Sequence, residues 1–260
     1  MLETIRGNLY DYPKYYDLVY GSDWKAEFDF LQECFHRFAE TPVCRLLEPA
    51  CGTGRLLARF AEVGYEVSGL DLNHRAVDYC NRRLQRHGRE AAAFVADMAE
   101  FRLRRKVDAA FNTINSFRHL PSESKALGHL RCIAASLRRG GLYILGLHLT
   151  PTAAQPMQEE SWSARRGNLS VLSRLWVEAT DLQRRQERIG MSFDVYTPTR
   201  QFRILDQTVF RTYTVRQMRR LLAKVPDLAI TSVHDFGYVV ERETQITAGT
   251  EDVVFVLRKC

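Results

Sequence analysis

Leu46-Leu47-Glu48-Pro49-Ala50-Cys51-Gly52-Thr53-Gly54-Arg55 decides how this chain is read: an apolar strand runs into a glycine turn, and the turn opens a helix. Such a turn lets the backbone approach a ligand at the carboxyl end of a strand, where open α/β sheets bind their cofactors. A glycine pair alone is weak evidence. It is sharpened by Asp71, which closes the next apolar run, Val67-Ser68-Gly69-Leu70-Asp71, 17 residues past Gly54. A carboxylate placed there accepts hydrogen bonds from both hydroxyls of a ribose. A dinucleotide site is the natural rival. Gly52-Thr53-Gly54-Arg55-Leu56-Leu57, however, puts leucine where the G-x-G-x-x-G fingerprint needs its third glycine for close helix–strand packing. Glu48, ahead of the turn, suits a ligand bearing an ammonium group better than one bearing a pyrophosphate. The expected ligand is a nucleoside with an amino-acid tail.

Outward from this turn, residues 44–149 alternate short apolar runs with amphipathic stretches, the pattern of βαβ units. Strands are expected at 44–50, 65–71, 92–97, 107–113 and 142–149, and helices at 55–63, 74–87 and 122–138, with Gly64, Gly88 and Gly140 standing at helix ends. After Thr150 the segments 170–178, 191–196 and 202–212 read as alternating strands without helices between them. Thr214 then opens a capped helix to Lys224, and 228–236 and 252–258 read as an antiparallel pair joined by a polar loop around 241–250. The predicted fold is α/β: a doubly wound, mostly parallel seven-stranded Rossmann-like sheet, with an antiparallel β insertion after the fifth strand. The expected division is an N-terminal aromatic helical lid at 1–40, a cofactor-binding core at 41–150, a β-rich acceptor-side cap at 151–213, and a helix with closing strands at 214–260.

These motifs resemble the class I S-adenosylmethionine-dependent methyltransferases, whose glycine motif runs acid-x-Gly-x-Gly-x-Gly. Glu48, Gly52 and Gly54 match it, and Ala50 replaces the first glycine. The resemblance covers residues 15–149 and the closing 252–259 strand. It implies S-adenosyl-L-methionine as cofactor, with the backbone of Ala50, Cys51, Gly52 and Gly54 cradling the methionine moiety and Glu48 reaching its ammonium through water. It also implies that Asp71 holds the ribose and Leu72 packs on the adenine. Phe94-Val95-Ala96-Asp97-Met98 resembles the family's third-strand segment, so Asp97 inherits the adenine amino group and Met98 lines the base. Phe111-Asn112-Thr113-Ile114-Asn115-Ser116 resembles the small-molecule branch, where this loop borders the methyl group and Asn112 touches the cofactor. Taken alone, Asp97 reads equally as a helix cap and Asn112 as a turn residue.

Tyr12, Tyr16, Tyr20, Trp24 and Phe28 recur every fourth residue, near one face of a helix, although Pro13 and Gly21 argue against a single unbroken one. They form either an apolar face docked on the core or a lid over a ligand. Tyr15-Tyr16-Asp17-Leu18-Val19-Tyr20 with Trp24 resembles the start of the amino-sugar N,N-dimethyltransferases and glycine N-methyltransferase-like enzymes, which implies Tyr16 and Trp24 as pocket residues. Transfer from a sulfonium is an in-line displacement that asks mainly for alignment in a closed site. A general base is needed only for a protonated acceptor; His119 and His148 are the candidates, and no catalytic residue is assigned.

Lysine and arginine number 37 against 31 acids, a formal charge of +6, but the basic clusters are interspersed with acids and read as solvated surface. The six cysteines show neither C-x-x-C pairing nor metal-ligand spacing with histidine, so reduced thiols in the cytoplasm, and no metal, are expected. No leader pattern or membrane-length apolar run is seen. The expected partner is a small-molecule acceptor with a nitrogen or oxygen nucleophile; no membrane partner is expected, and the oligomeric state stays open. A nucleic-acid methyltransferase is the runner-up, weakened because Asn112-Thr113-Ile114-Asn115 lacks the two prolines and aromatic that amino-methylating nucleic-acid enzymes carry there. A non-catalytic cofactor-binding scaffold is the third reading.

Overall fold

The computed structural model describes residues 3–154 and 156–260; Met1, Leu2 and Gln155, which belong to the expected lid and cap segments, lie outside the described residues. In chain order the elements are β1 (Glu3–Arg6), α1 (Pro13–Tyr20), α2 (Lys25–Phe38), β2 (Arg45–Pro49), α3 (Arg55–Glu62), β3 (Glu66–Asp71), α4 (His74–Arg86), β4 (Ala93–Val95) and β5 (Val107–Asn112). There follow α5 (Glu123–Ser136), β6 (Leu137–His148), β7 (Glu159–Arg166), β8 (Leu169–Asp181), β9 (Gln186–Tyr196), β10 (Gln201–Arg211), α6 (Val215–Leu222), β11 (Leu228–His234) and β12 (Asp252–Lys259). Short 3-10 turns lie at Leu9–Asp11 and Ser116–His119.

Seven strands form one sheet in the order β11-β12-β6-β5-β2-β3-β4. The run from β6 to β4 is parallel, and β12 lies antiparallel to both its neighbours. Every residue of β5 is buried, as a central strand covered on both faces requires. On one face Leu130 and Ile133 of α5 and Met218 and Leu221 of α6 pack against Leu47, Ala110 and Tyr143. On the other, Phe28, Leu31 and Phe35 of α2 and Leu56 and Phe60 of α3 pack against Leu46, Ala109 and Phe111. Helix starts are set locally: Asn73 accepts from the Arg75 and Ala76 amides, Ser122 from Lys125, and Thr214 with Gln217 forms a reciprocal capping box.

One expected helix end is corrected. Gly64 and Gly88 follow α3 and α4, but α5 closes at Ser136 and Gly140 lies inside β6, with φ 75°, where the register with β5 slips between Val107 and Ala109. A positive-φ residue there serves a strand irregularity.

The insertion is a second sheet of five strands, β1-β10-β9-β8-β7. Its outermost members depart from the sequence reading. β7 has one mostly exposed face pattern and pairs antiparallel with β8, and β1 crosses from the N-terminus to lie parallel to β10, with Glu3 opposite Phe202. The N-terminal segment is therefore part strand, not wholly helical. Its aromatic run is also divided: Pro13 starts α1, Gly21 ends it, and α2 begins only at Lys25. Tyr10, Tyr12, Tyr15, Tyr16 and Tyr20 pack on the insertion sheet, whereas Trp24 and Phe28 pack on the core.

The second sheet lies over the carboxyl end of β5. His119, in the turn after β5, meets Phe210 of β10 with ring centroids 4.7 Å apart, the buried Arg118 guanidinium donates to Glu187 of β9 at 2.5 Å, and Arg185 donates to Glu123 at the start of α5 at 2.9 Å.

Candidate functional site

Three residues of the turn between β2 and α3 take left-handed backbone angles: Ala50 (φ 54°), Gly52 (φ 52°) and Gly54 (φ 67°). For Ala50 that conformation costs about 1 kcal/mol, a cost the surrounding fold offsets. The two glycines are required for different reasons. A Cβ on Gly54 would stand 2.3 Å from the Cys80 Sγ of α4, so this glycine allows close packing of the turn on α4. A Cβ on Gly52 would meet nothing within 4 Å, so this glycine faces open space where a ligand's atoms could pass. The thiol of Cys51 is buried among Leu57, Ala58, Cys80 and Leu84, which leaves its backbone to the turn.

Asp71 ends β3 beside this turn. Its Oδ2 accepts the Gly52 amide at 2.9 Å and its Oδ1 the Asn73 amide at 2.8 Å, so it fixes both the glycine turn and the start of α4. Each oxygen keeps a second lone pair for a hydroxyl donor. Burial pushes its carboxyl above the usual range, and the amides of Asn73, Gly52 and Leu72 oppose that push.

Behind the turn lie three acceptor atoms that are buried without a hydrogen-bond partner among the described residues: Glu48 Oε2, Glu27 Oε1 and Asn112 Oδ1. The Asn112 amide has turned its Nδ2 to Pro49 O at 2.8 Å, bridging β5 to β2. Glu27, on α2, is buried and ion-paired with Arg55 at the start of α3, and Arg55 also donates to Asp23 O at 3.1 Å. Burial drives the Glu48 carboxyl well above its usual range, with Arg55 pulling the other way. Tyr16 of α1 faces the same charges: burial pushes its hydroxyl up to about 12 against the pull of Arg55, while Asp71, Glu27 and Glu48 add to the rise. Unsatisfied buried acceptors cost about 1–3 kcal/mol each. A ligand carrying several donor hydrogens, such as an ammonium, relieves that cost.

On the far side of Asp71, Leu72 is 69% exposed, an apolar side chain held open at the strand end. Asp97 caps its own turn by accepting the Ala99 amide at 2.8 Å and pairs with Lys125 at 2.9 Å; these contacts outweigh desolvation and hold its carboxyl below the usual range. Met98 is buried, and its carbonyl meets the His129 Nδ1 at 2.9 Å.

Against the face of the insertion sheet, α1 and the turn before it supply a tyrosine wall. Tyr16 lies 5.5 Å from Tyr10 and 4.7 Å from Tyr20, ring centre to ring centre, and Tyr20 shares a 2.8 Å hydrogen bond with Ser173 and stands edge-on to Trp162. Trp24 is not brought to this wall; it packs edge-on to Phe28 and beneath Arg59, whose guanidinium carbon lies 4.5 Å from its ring centre. The two candidate histidines separate clearly. His119 is hydrogen-bonded to Tyr10 Oη at 3.0 Å, and burial, aided by Arg118, lowers it to about 4, so its ring is neutral at pH 7. His148, at the carboxyl end of β6, holds Asp252 Oδ1 through Nδ1 at 2.7 Å and stacks obliquely on Phe236, which leaves Nε2 as the ring's remaining polar atom.

Sequence reasoning missed Glu27, Arg55 and Asp17. Asp17, 1% exposed, accepts from Thr53 at 3.2 Å, from Tyr79 at 3.1 Å and from Arg83, and so ties α1 to the glycine turn and to α4. No local pattern marks a pair such as Glu27 and Arg55, which meet only in the fold. For Asp17 the one available signal was its place between Tyr16 and Tyr20 on an otherwise apolar helix.

Residues 46–141 match the family model described as a methyltransferase domain. A dTDP-3-amino-3,4,6-trideoxy-alpha-D-glucopyranose N,N-dimethyltransferase of Streptomyces venezuelae is 29% identical over 139 residues, 52% of this chain and 56% of that protein. The chain thus spans only about half the length of that curated relative. Among solved structures, a S-adenosylmethionine-dependent methyltransferase from Clostridium acetobutylicum superposes with a TM-score of 0.78 at 18% identity, covering 97% of this chain and 99% of the other. A sugar N-methyltransferase from Streptoalloteichus superposes at 0.75 and 18% identity, covering 98% and 94%. At these identities the superpositions speak for the fold. Residues 46–141 thus carry a methyltransferase domain, and the chain has the fold of the class I S-adenosylmethionine-dependent methyltransferases.

Proposed function

We propose that the chain transfers a methyl group from S-adenosylmethionine to a small-molecule acceptor with a nitrogen or oxygen nucleophile. The observation that carries this reading is the trio of buried acceptors without a hydrogen-bond partner among the described residues, Glu48 Oε2, Glu27 Oε1 and Asn112 Oδ1, taken together with the open space at Gly52. That donor-hungry cradle fits an amino-acid tail. In this reading the backbone of Ala50, Cys51, Gly52 and Gly54 holds the methionine moiety and Glu48 its ammonium, while Asp71 receives the ribose hydroxyls through its free lone pairs. Leu72 packs on the adenine, Asp97 and Met98 border the base, and Asn112 reaches the cofactor through Oδ1. Tyr16 closes the site, and Trp24 supports α2 and α3 from behind.

Bound there, the cofactor would supply an electrophilic methyl group on a cationic sulfonium, whose sulfur leaves as a neutral thioether. The chain's own part is to align and to exclude water. Residues 41–150 and 214–260 form the cofactor-binding core, and residues 1–40 with 151–213 form the acceptor-side cap. The tyrosine wall offers flat apolar faces and hydroxyls, the mixture suited to a buried organic acceptor. His148, oriented by Asp252, is the group placed to take a proton from an ammonium or hydroxyl acceptor; His119 is held by Tyr10 for the cap. The S. venezuelae relative is named for an amino sugar. An amine is accordingly the first acceptor class to try. Transfer of label from S-adenosylmethionine should be screened against amines, amino sugars, carboxylic acids, phenols and total RNA. Label in an amine or amino sugar is the expected result; label confined to RNA would replace this reading with a nucleic-acid methyltransferase.

A further inference from the structure

Glu160 of β7 is a carboxylate on the same face of the insertion sheet as the tyrosine wall. Side chains two apart on a strand share a face, so Glu160 and Trp162 lie on one side of β7. The strand register extends that face across the sheet: Trp162 stands opposite Ser173 and Ser173 opposite Phe193, while Glu160 stands opposite Leu175 and Leu175 opposite Met191. Tyr20 marks it as the inner face, with its ring 5.5 Å from Trp162 and 6.3 Å from Phe193 and its hydroxyl bonded to Ser173 at 2.8 Å. Just before β7 the Met157 amide donates to Glu251 at 3.4 Å, and Glu251 adjoins Asp252, the partner of His148. The start of β7 is thereby held beside the end of β6. Glu160 is close to both His148 and Tyr20: burial lifts its carboxyl above the usual range while His148 pulls it down, and its charge adds to the burial that raises the Tyr20 hydroxyl. Its neighbour Glu159 pairs with Arg174 at 3.3 Å, but the half-buried Glu160 carboxylate forms no hydrogen bond or ion pair among the described residues.

A half-buried carboxylate without a cation is costly, and Asp252 and Glu251 add to that cost instead of relieving it. A positive charge is the partner that suits this corner. The aromatic faces around it favour the same charge: Trp162 and Tyr20 on one side, and on the other Phe236, whose ring centre lies 5.0 Å from that of His148. When an uncharged amine is methylated, the nitrogen lone pair forms the new N–C bond, the C–S pair leaves with sulfur, and the positive charge passes from sulfur to nitrogen. One proton then leaves the nitrogen for His148 Nε2. A carboxylate beside that nitrogen stabilises the transition state more than the starting amine. Beside an oxygen anion or a carboxylate acceptor it repels the nucleophile. We propose that Glu160 is a specificity-determining residue of the acceptor side, whose carboxylate takes up the positive charge of a nitrogen acceptor and disfavours anionic ones. This role rests on the small-molecule acceptor reading above and adds to it the residue that sets the acceptor's charge.

Calorimetry on the full chain, saturated with S-adenosylhomocysteine, tests it at pH 7 with three probes of one shape: benzylammonium, benzyl alcohol and benzoate. Benzylammonium should bind tighter than either of the others by about tenfold or more. Glu160→Gln keeps the size of the side chain and removes its charge. It should bring benzylammonium to within about threefold of benzyl alcohol while S-adenosylhomocysteine affinity stays within about twofold, which also shows that the variant is folded. No preference for benzylammonium, no binding of any of the three probes at millimolar concentration, or a preference that Glu160→Gln retains, overturns the role of Glu160. Failure of the unaltered chain to bind S-adenosylhomocysteine counts against the cofactor reading instead. The three probes are then titrated into the unliganded chain, where the same preference, and its loss in Glu160→Gln, still decides the role of Glu160.

Discussion

The Thr53 hydroxyl donates to the buried carboxylate of Asp17 at 3.2 Å, so the helix that carries Tyr16 and Tyr20 is bonded to the middle of the glycine turn. Cap and turn are one mechanical unit through this contact. Asp17→Asn keeps the shape but removes the charge that faces Arg83, and Thr53→Val removes only the hydroxyl. Thr53→Val is expected to cost about 1 kcal/mol of stability and Asp17→Asn about 2–3 kcal/mol, the larger value reflecting a buried charge pair left half made, discounted because Arg83 is partly exposed. Chemical denaturation measures both. If the double variant loses the sum of the single losses, the two groups are not coupled.

The two glycines should part company. Gly52→Ala meets empty space, so its stability loss should be confined to about 1 kcal/mol of backbone strain, while cofactor affinity falls at least tenfold because the new methyl group occupies the ligand's path. Gly54→Ala adds a collision with Cys80 and should destabilise by roughly 3 kcal/mol or more. Thermal unfolding and ligand titration on both variants check the contrast. A Gly52→Ala protein with unchanged affinity would remove the ligand from that side of the turn.

Much of this architecture was legible in the sequence because its signals are local. Strand 45–49, the glycine turn and Asp71 follow one another within a few turns of chain, and Asn73, Ser122 and Thr214 announce their helices by hydrogen-bonding to amides two or three residues on. The rest depends on partners far along the chain. β1 is four residues with a mostly exposed pattern, and only pairing with β10 makes it a strand. β7 is an edge strand with too few buried positions to show alternation. The every-fourth aromatic spacing was real, but it could not tell that Tyr16 would face the insertion and Trp24 the core, because the break at Gly21 redirects the chain between them. Likewise Glu27 and Arg55 become a buried pair only once α2 packs on α3.

Acid should weaken the fold through His129. It is fully buried, its Nδ1 is bonded to Met98 O at 2.9 Å and its Nε2 to Tyr143 Oη at 2.6 Å, and burial lowers it to about 4 from 6.5. The unfolded chain takes up the proton first as the pH falls through 6.5, so stability is lost between 6.5 and 4 and the loss levels off below. For this one group the loss is on the order of 3 kcal/mol. His129→Gln can make the same two hydrogen bonds without titrating. Its stability should fall less steeply across that interval in denaturation experiments from pH 7 to 4; an identical slope would show that His129 does not contribute.

His148 and Asp252 bear on turnover and not on cofactor binding. His148→Gln and Asp252→Asn should each lower kcat by about 10²–10⁴ for an acceptor that arrives protonated, with S-adenosylhomocysteine affinity unchanged. Raising the pH above the acceptor's own pKa should restore much of the rate, since the nucleophile then needs no base. Equal loss at every pH would make the pair a structural clasp between β6 and β12.

The central claim is that the glycine turn, Glu48 and Asp71 form an S-adenosylmethionine site, and calorimetric titration with S-adenosylhomocysteine tests it most directly. The unaltered chain should bind one equivalent, and Asp71→Ala should bind more weakly by roughly 1–3 kcal/mol, the cost of leaving ribose hydroxyls without their acceptor. No heat of binding in the unaltered chain, or equal affinity in the two proteins, would contradict it.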